Sequence, residues 1–589
     1  MTPIPEHLLL QAAKPGRYVG NEIHMVRKPT STPIRFAFCF PDVYDVGMSH
    51  LGLQILYFLL NRREDTYCER AFMPWTDMAD IMRAHDLPLF ALETGSPLRD
   101  FAFVGFTLQH EMCYTNVLAM LDLAGLPLRA ADRGDDAPII CAGGPCATNP
   151  EPMAPFVDFF YIGDGEVSLD AILDAYRALQ AQTGLARPPK AAFLAAIASI
   201  PGVYVPAFYA PTYHPDGTLA TFAPTHPAAP ATVQRALLED LDTAFFPEKT
   251  LVPLIETAHN RTVIELFRGC GRGCRFCQAG YIHRPIRERS PETLLAQART
   301  LLDATGHEEI SLVSLSTSDY SGFAPLVDGL LCLTQQRQVN ISLPSLRINT
   351  LTLDAIQKTQ AVRKSSLTFA PEAGSQRMRD VIRKNISQQD ILDGCRAAFE
   401  AGFDRIKLYF MAGLPTETFE DALAVATLAE EVVETYYTLP KEARRRPVSV
   451  NVSCSCFVPK PFTPFQWDAL CDDFLDTQRQ VKATVRKRQI SYRYHDAATA
   501  RIEAVLARGC RRVADAIEAA YRNGACFCSW TECFRPDLWE AAFQETGVSP
   551  AFYAHRTRPQ DELLPWDFID MGVDKAFLWK ERARAYAHA

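Results

Sequence analysis

Arg268-Gly269-Cys270-Gly271-Arg272-Gly273-Cys274-Arg275-Phe276-Cys277 is the stretch from which the rest of the chain can be read. Three thiolates spaced C-x3-C-x2-C on one short loop can hold three irons of a [4Fe–4S] cube. Such clusters normally take four cysteines, so a three-cysteine loop leaves one iron for an external ligand. Gly269, Gly271 and Gly273 let the loop fold tightly and turn backbone N–H groups towards an anionic cluster. A zinc site is the competing reading. Its usual signature is four Cys or His ligands, and His283 can supply a fourth, but the glycine packing and Phe276 argue against it.

Bulk properties bound the rest. The chain has 589 residues, 48% hydrophobic and 22% charged, the composition of a globular protein. That is about four times a typical domain of roughly 150 residues, so at least two domains are expected. A net charge of −9 gives no global attraction to nucleic acid. The basic runs Arg444–Arg446 and Arg486–Arg488 read first as solvated helix ends, with a nucleic-acid face as the weaker alternative. Seventeen cysteines scattered through the sequence, with a mixed N-terminus, suit a reducing cytoplasm rather than a secreted disulfide scaffold. Ala191 to Tyr213 carries no charge and is long enough to span a membrane. Pro201-Gly202, Pro206 and Pro211 break it, so it reads as a short helix, a turn and a strand, and no membrane association is expected.

Strand and helix patterns alternate in two zones. In the first, strands are expected at Ile34–Phe40, Phe103–Leu108, Pro138–Ala142 and Phe156–Ile162, with helices at Leu51–Leu60 and Thr115–Leu123. This is the pattern of a doubly wound parallel sheet, with glycine turns at strand ends where such sheets bind ligands. After a helix running on from Leu173, the chain to about residue 250 reads as a connector rich in proline and alanine, with a hairpin turn at Tyr213-His214-Pro215-Asp216-Gly217. In the second zone, Thr262–Phe267 delivers the cysteine loop. Ser290-Pro291 opens a helix that Gly306 closes. Strands follow at Ile310–Leu315, Ile341–Ile348, Ser366–Phe369, Arg405–Met411 and Val448–Cys456, with helices from about Ala324, Leu353, Gln388 and Phe419. The domains expected are 1–175, the connector 176–250, 251–496, and a small, mainly helical region 497–589.

The cysteine spacing, with Phe276 before the last cysteine, resembles the signature of radical S-adenosylmethionine (SAM) enzymes. The resemblance implies a partial (β/α)6 barrel, with SAM bound to the unique iron and cleaved by one electron to methionine and a 5′-deoxyadenosyl radical. It also implies a reductant such as flavodoxin or ferredoxin. Within it, Cys270, Cys274 and Cys277 hold the cluster, and Phe276 lies beside the cofactor. Ser316-Thr317-Ser318-Asp319 stands where the family often has Gly-Gly-Glu-Pro, so Ser316, Ser318 and Asp319 become candidates for the SAM ammonium; a helix N-cap is the equal alternative. Phe369-Ala370-Pro371-Glu372-Ala373-Gly374-Ser375 is similar to a turn of the methylthiotransferase-like branch, which implies that Glu372 binds a ribose hydroxyl or the ammonium; a structural pair with Arg383 is the alternative. Gly413-Leu414-Pro415-Thr416-Glu417-Thr418 resembles the Gly-Leu-Pro-Gly-Glu-Thr turn that places Leu414 against adenine, with Thr416 replacing Gly.

In the first zone, Gly143-Gly144-Pro145-Cys146-Ala147-Thr148 and Gly163-Asp164-Gly165-Glu166 resemble turns of cobalamin-binding radical SAM proteins, with Cys146 in place of a usual His. The resemblance implies a Rossmann-like cobalamin domain bordered by Gly143, Gly144, Gly163 and Gly165, without the D-x-H-x-x-G motif that supplies a lower axial histidine. Cys510, Cys526, Cys528 and Cys533 fit no standard cluster spacing and read better as core residues. The final segment, Leu564-Pro565-Trp566-Asp567 onwards, looks like an uncharacterised radical SAM family whose members are often linked to a small partner domain. The leading expectation is a cobalamin-dependent methyltransferase acting on an unactivated carbon. The alternatives are a radical SAM enzyme acting on RNA or a ribosomal component without cobalamin, and a non-enzymatic iron–sulfur redox sensor.

Overall fold

The computed structural model describes residues 3–335, 337–343, 367–444 and 446–588. They form two units. The first comprises Met1–Asn260, Val505–Ser549 and Asp561–Met571; the second comprises Arg261–Ala504, Pro550–Gln560 and Gly572–Ala589. The region 497–589, which the sequence sets apart, is therefore shared between the two. Residues 176–250 belong wholly to the first.

The first unit is built on six strands: β1 (Ile34–Phe40), β2 (Thr66–Phe72), β3 (Phe103–Thr107), β4 (Ile139–Gly143), β5 (Phe159–Tyr161) and β6 (Val203–Tyr204). Their order in the sheet is β2-β1-β3-β4-β5-β6, parallel until β6 closes the edge antiparallel to β5. Helices α1 (Leu51–Arg62), α2 (Thr76–Ala84), α3 (Tyr114–Leu123), α4 (Leu169–Thr183) and α5 (Lys190–Ile197) alternate with the strands. This is a doubly wound α/β sheet, and its order reverses between β1 and β3. The uncharged stretch from Ala191 resolves as expected into a short helix (α5), a turn and β6, and the expected hairpin is present as Tyr209–Tyr213 paired with Leu219–Pro224.

Strand β2 was not expected, because Glu69 and Arg70 interrupt its apolar pattern. Both are fully buried. Arg70 is held by Glu22 at 2.8 Å and Glu93 at 2.6 Å, and Glu69 by Arg35. Buried charges persist only when paired in this way.

The second unit holds two parallel sheets: β7 (Thr262–Glu265), β8 (Glu309–Val313) and β9 (Asn340–Ser342), and then β10 (Leu367–Glu372), β11 (Arg405–Ala412), β12 (Ser449–Cys456) and β13 (Ile490–Tyr494). Five of the expected strands fall where the sequence places them, β9 covers the described start of a sixth, and β13 is a seventh. The expected strand Ile341–Ile348 lies partly outside the described residues, and the helix from Leu353 wholly so. Ser290 caps the helix Pro291–Thr305 by accepting the Thr293 N–H at 3.2 Å, and Gly306 ends it at φ +67°, as expected. One face of the four-stranded sheet is covered by the helices Gln388–Glu400, Phe419–Tyr437 and Phe474–Thr484, which share a core with Ile406, Leu408, Phe410, Val450, Val452 and Cys454.

Candidate active site

The cysteine loop follows β7, at the carboxyl end of the parallel strands where barrels of this kind carry their chemistry. All three thiols are partly exposed. Burial pushes the Cys277 thiol up to about 11, and the neighbouring Cys274, Cys270 and Glu372 push in the same direction. The three sulfurs and one carboxylate thus share one small region. Thiolates crowded in this way need a cation or metal centre to stay ionised together. Among the described residues no three His, Cys, Asp or Glu side chains converge on one metal ion. Thiolates that each take a different iron of a cube have no need to.

Two elements hold the loop. Arg272 forms a bidentate pair with Asp319, 2.7 Å from Nε to Oδ2, and lies close enough to Cys270 and Cys274 for their charges to act on it. The turn Ser316–Asp319, with Ser316 donating to the same Asp319 oxygen at 2.7 Å, is thereby brought to the loop. Asp319 thus accepts from a guanidinium and a hydroxyl and ties this turn to the cysteine loop. This turn is not the N-cap of the following helix either, because that helix begins at Phe323. Ser318 lies on the same turn.

Arg275 is the second anchor. It is buried and donates to the carbonyls of Val381 (2.7 Å) and Asp380 (3.2 Å) at the end of the helix Gln376–Val381, and to Glu581 at 3.3 Å. Glu581 belongs to the C-terminal helix Lys575–Tyr586 and also receives Arg383 at 3.2 Å. Nothing in the sequence marked this residue's part. Its only signal was a Glu among charged helix residues, which reads as solvated surface.

Glu372 ends β10 at a register shift, with φ +68°. Positive φ is costly for a side-chain-bearing residue and collects at functional turns. Burial pushes its carboxyl above the usual range, opposed by Lys384, whose ammonium lies 3.2 Å away. The structural alternative read from sequence named Arg383, but the partner is Lys384. Phe276 packs against an apolar cluster containing Ala373, Met378, Leu414 and Phe465, which brings Phe276, Leu414 and the Glu372 turn together. Asp421, held down to about 2 despite its burial, accepts from Ser375 at 2.5 Å and pairs with Arg377, while Arg377 donates to the Thr416 carbonyl at 2.7 Å. Thr416, where the resembling turn has Gly, adopts φ +70°, so the left-handed turn survives without its glycine.

In the first unit, a cavity of about 260 Å³ lies at the carboxyl ends of β1 and β3. Asp42, His50, Thr107, Gln109, His110 and Cys113 contribute to its wall. This is the reversal point of the strand order, where open α/β sheets bind ligands. His50 accepts the Leu53 N–H at Nδ1 (3.1 Å), and burial lowers its basicity against a contact with Gln109. Asp42 accepts from the Val43 N–H at 2.7 Å and from the Trp530 indole at 3.0 Å. Trp530 comes from the C-terminal stretch, which thus completes this part of the first unit. Gly143, Gly144, Gly163 and Gly165 do not line the cavity. A Cβ on Gly144 (φ +103°) would meet the Leu108 carbonyl at 2.7 Å, and one on Gly163 (φ +118°) the Ala236 carbonyl at 2.0 Å. The space beside Gly143 and Gly165 is filled by Tyr161 and Leu56. These glycines permit close backbone and side-chain approach. Cys528 accepts from the Trp539 indole at 3.4 Å inside the core, in line with its reading as a packing residue.

Comparison with known proteins decides the family. The family described as "Radical SAM proteins, N-terminal" matches residues 52–206, and the "Radical SAM superfamily" matches residues 264–429, together more than half of the chain. The chain belongs to the radical SAM superfamily. It is a radical SAM enzyme, which removes the sensor alternative. An uncharacterized protein of Methanocaldococcus jannaschii is 26% identical over 483 residues, 80% of this chain and 88% of that protein. A tRNA-2-methylthio-N(6)-dimethylallyladenosine synthase of Prosthecochloris aestuarii is 25% identical over 178 residues, 29% of this chain and 40% of that one. Among solved structures, TsrM from Kitasatospora setae, a radical SAM methyltransferase with cobalamin and a [4Fe–4S] cluster bound, has a TM-score of 0.46 at 12% identity, covering 73% of this chain and 76% of that one. OxsB, a cobalamin-dependent radical SAM enzyme with aqua-cobalamin and SAM bound, has a TM-score of 0.47 at 11% identity, covering 94% and 79%. Among the described residues no helix is long and apolar enough to cross a membrane.

Proposed function

We propose that Cys270, Cys274 and Cys277 hold a [4Fe–4S] cluster that binds SAM, and that the radical so generated initiates methyl transfer to an unactivated carbon with help from a cobalamin. The observation that carries the reading is the placement of three mutually interacting thiols on one loop beside Glu372 at a strand end. The cluster would supply the electron that cleaves SAM. Glu372, largely buried and paired with Lys384, would accept from the SAM ammonium or ribose. Leu414 and Phe276 offer the apolar surface for adenine and keep water from the radical. Lys384 and Arg272 offset the negative charge that three thiolates bring.

The cobalamin part of the proposal rests on the reversal-point cavity. Its wall, with Asp42, Thr107, Gln109, His110 and Cys113, would supply the polar contacts to a bound cobalamin, although its volume of about 260 Å³ falls below the roughly 300–1,000 Å³ of drug-sized ligand sites. A bound cobalamin would carry the methyl group between donor and acceptor. A cytoplasmic flavodoxin or ferredoxin fits as electron donor, and a small partner protein fits the family likeness. The second reading, modification of RNA or a ribosomal component without cobalamin, draws on the likeness to the tRNA methylthio synthase.

Anaerobically purified protein, reconstituted with iron, sulfide and excess cobalamin, tests both halves. It is expected to convert SAM to 5′-deoxyadenosine and methionine when reduced, and to retain cobalamin through gel filtration. Replacing all three cysteines by Ala is expected to abolish iron binding and cleavage; four irons per chain surviving in that variant would overturn the cluster assignment. Loss of all cobalamin on gel filtration would leave the second reading.

A further inference from the structure

The inner face of the four-stranded sheet has a composition that parallel sheets rarely show. Side chains alternate faces along a strand. With Ile406, Leu408, Phe410, Val450, Val452 and Cys454 under the helices, the intervening residues occupy the opposite face. They include Lys407 and Tyr409 on β11, Asn451 and Ser453 on β12, and Arg493 on β13. Buried parallel strands and barrel interiors are normally packed with branched apolar side chains. Here they are replaced by two cations and three hydrogen-bonding groups.

Register makes these five neighbours. Lys407 lies opposite Asn451, Tyr409 opposite Ser453, and Ser453 opposite Arg493. The Lys407 ammonium stands over the Tyr409 ring, 4.7 Å from its centre, so it reaches towards the carboxyl end of the strand. Tyr409 is 38% exposed, which shows that this face is open and not filled by packing. Among the described residues Lys407 and Arg493 have no ion pair or side-chain hydrogen bond. Glu372, at the end of β10, lies opposite Phe410, and Lys384 already holds it.

Resting on the radical SAM reading above, we infer that the substrate carries an oxyanion, a phosphate or a carboxylate, bound between Lys407 and Arg493. Arg supplies a planar fork suited to two oxygens of such a group, and Lys a point charge. Tyr409, Asn451 and Ser453 give neutral hydrogen bonds between them. Strands β11 and β13 stand two spacings apart, about 10 Å, a gap that two long side chains can close on one bridging anion. Met411, two residues or ~7 Å further along β11 than Tyr409, packs on the apolar cluster that also receives Phe276. The anion therefore anchors one end of the substrate below the site of SAM cleavage and leaves its other end to meet the radical.

The test uses the cluster-loaded full chain under anaerobic conditions. Inorganic phosphate and acetate are titrated separately by calorimetry at constant ionic strength maintained with chloride. Saturable binding of one anion is expected, with at least tenfold weaker affinity in Lys407→Gln and in Arg493→Gln and less than threefold change in Lys407→Arg. Tighter phosphate binding assigns a phosphoryl group, and tighter acetate binding a carboxylate. If neither anion binds in preference to chloride, or if both Gln variants keep the wild-type affinity, the inference is overturned. Wild-type SAM cleavage is measured in the same samples. Cleavage without anion binding sinks this inference alone, whereas anion binding without cleavage sinks the radical reading.

Discussion

Replacing Glu581 by Gln is expected to loosen the cysteine loop from a distance of 306 positions in sequence. The Glu581 side chain is 1% exposed and faces Arg275, which is 5% exposed and sits between Cys274 and Phe276. Removing one partner of a buried ion pair generally costs about 3–5 kcal/mol, because the other charge stays buried. Arg275 keeps its two carbonyl acceptors at Asp380 and Val381, and Arg383 and Arg584 are exposed enough to return to water. Gln also retains one acceptor. The expected loss is therefore smaller, about 2–3 kcal/mol. Arg275→Met removes the stranded charge, so the double variant should recover much of the loss and show a coupling of about 2 kcal/mol. Urea unfolding followed by tryptophan fluorescence reads this directly, since Trp579 of the same helix stands edge-on to Trp467 at 5.0 Å. Iron content after gel filtration gives the functional counterpart and should fall in Glu581→Gln. A coupling below about 0.5 kcal/mol, or an unchanged midpoint in the single variant, would show that the helix does not brace the loop.

Glu372→Gln should weaken SAM binding at least tenfold, about 1.4 kcal/mol, the lower end of a charge-assisted hydrogen bond, while leaving the cluster spectrum intact; unchanged affinity would confine Glu372 to its pair with Lys384. Burial raises Glu417 to about 7 from an ordinary value near 4.5, against the Gly413 N–H and with Asp421 and Asp473 adding to the rise. The unfolded chain therefore releases this proton first, so stability should fall as pH rises from about 4.5 to about 7 and then level. Glu417→Gln should flatten that slope, and an unaltered pH profile of the urea midpoint would refute the burial argument. Thr416→Gly should stabilise the protein by up to about 1 kcal/mol, because a β-branched residue at φ +70° is strained where glycine is not; a lower urea midpoint would show that Thr416 contributes packing that outweighs the strain.

Much of the site was legible because it is local. The spacing of Cys270, Cys274 and Cys277 lies within eight consecutive residues, and the turns at Glu372 and Leu414 each lie at the end of a recognisable strand. The roles of Asp319 and the four glycines were harder to read. A carboxylate after a strand looks the same in sequence whether it meets a ligand or Arg272, and a glycine looks the same whether it faces a ligand or the Leu108 carbonyl.

By itself the sequence determined that the chain alternates strands and helices, where the cysteine loop hangs, and which turns surround it. Periodicity and short spacings suffice for these, since they depend on residues adjacent in the chain. Only the tertiary structure decided the strand order. Strand β2 is hidden in sequence by Glu69 and Arg70, and its charges become tolerable only when Glu22, Arg35 and Glu93 are brought to them from elsewhere. Because β2 joins the sheet beside β1, the order reverses between β1 and β3, and the cavity opens at that point and not at the glycine turns. The same holds for Glu581 beside Arg275, and for Lys407, Ser453 and Arg493 in adjoining rows of one sheet. Each depends on contacts between distant parts of the chain, which strand pairing and helix docking create and no local pattern records.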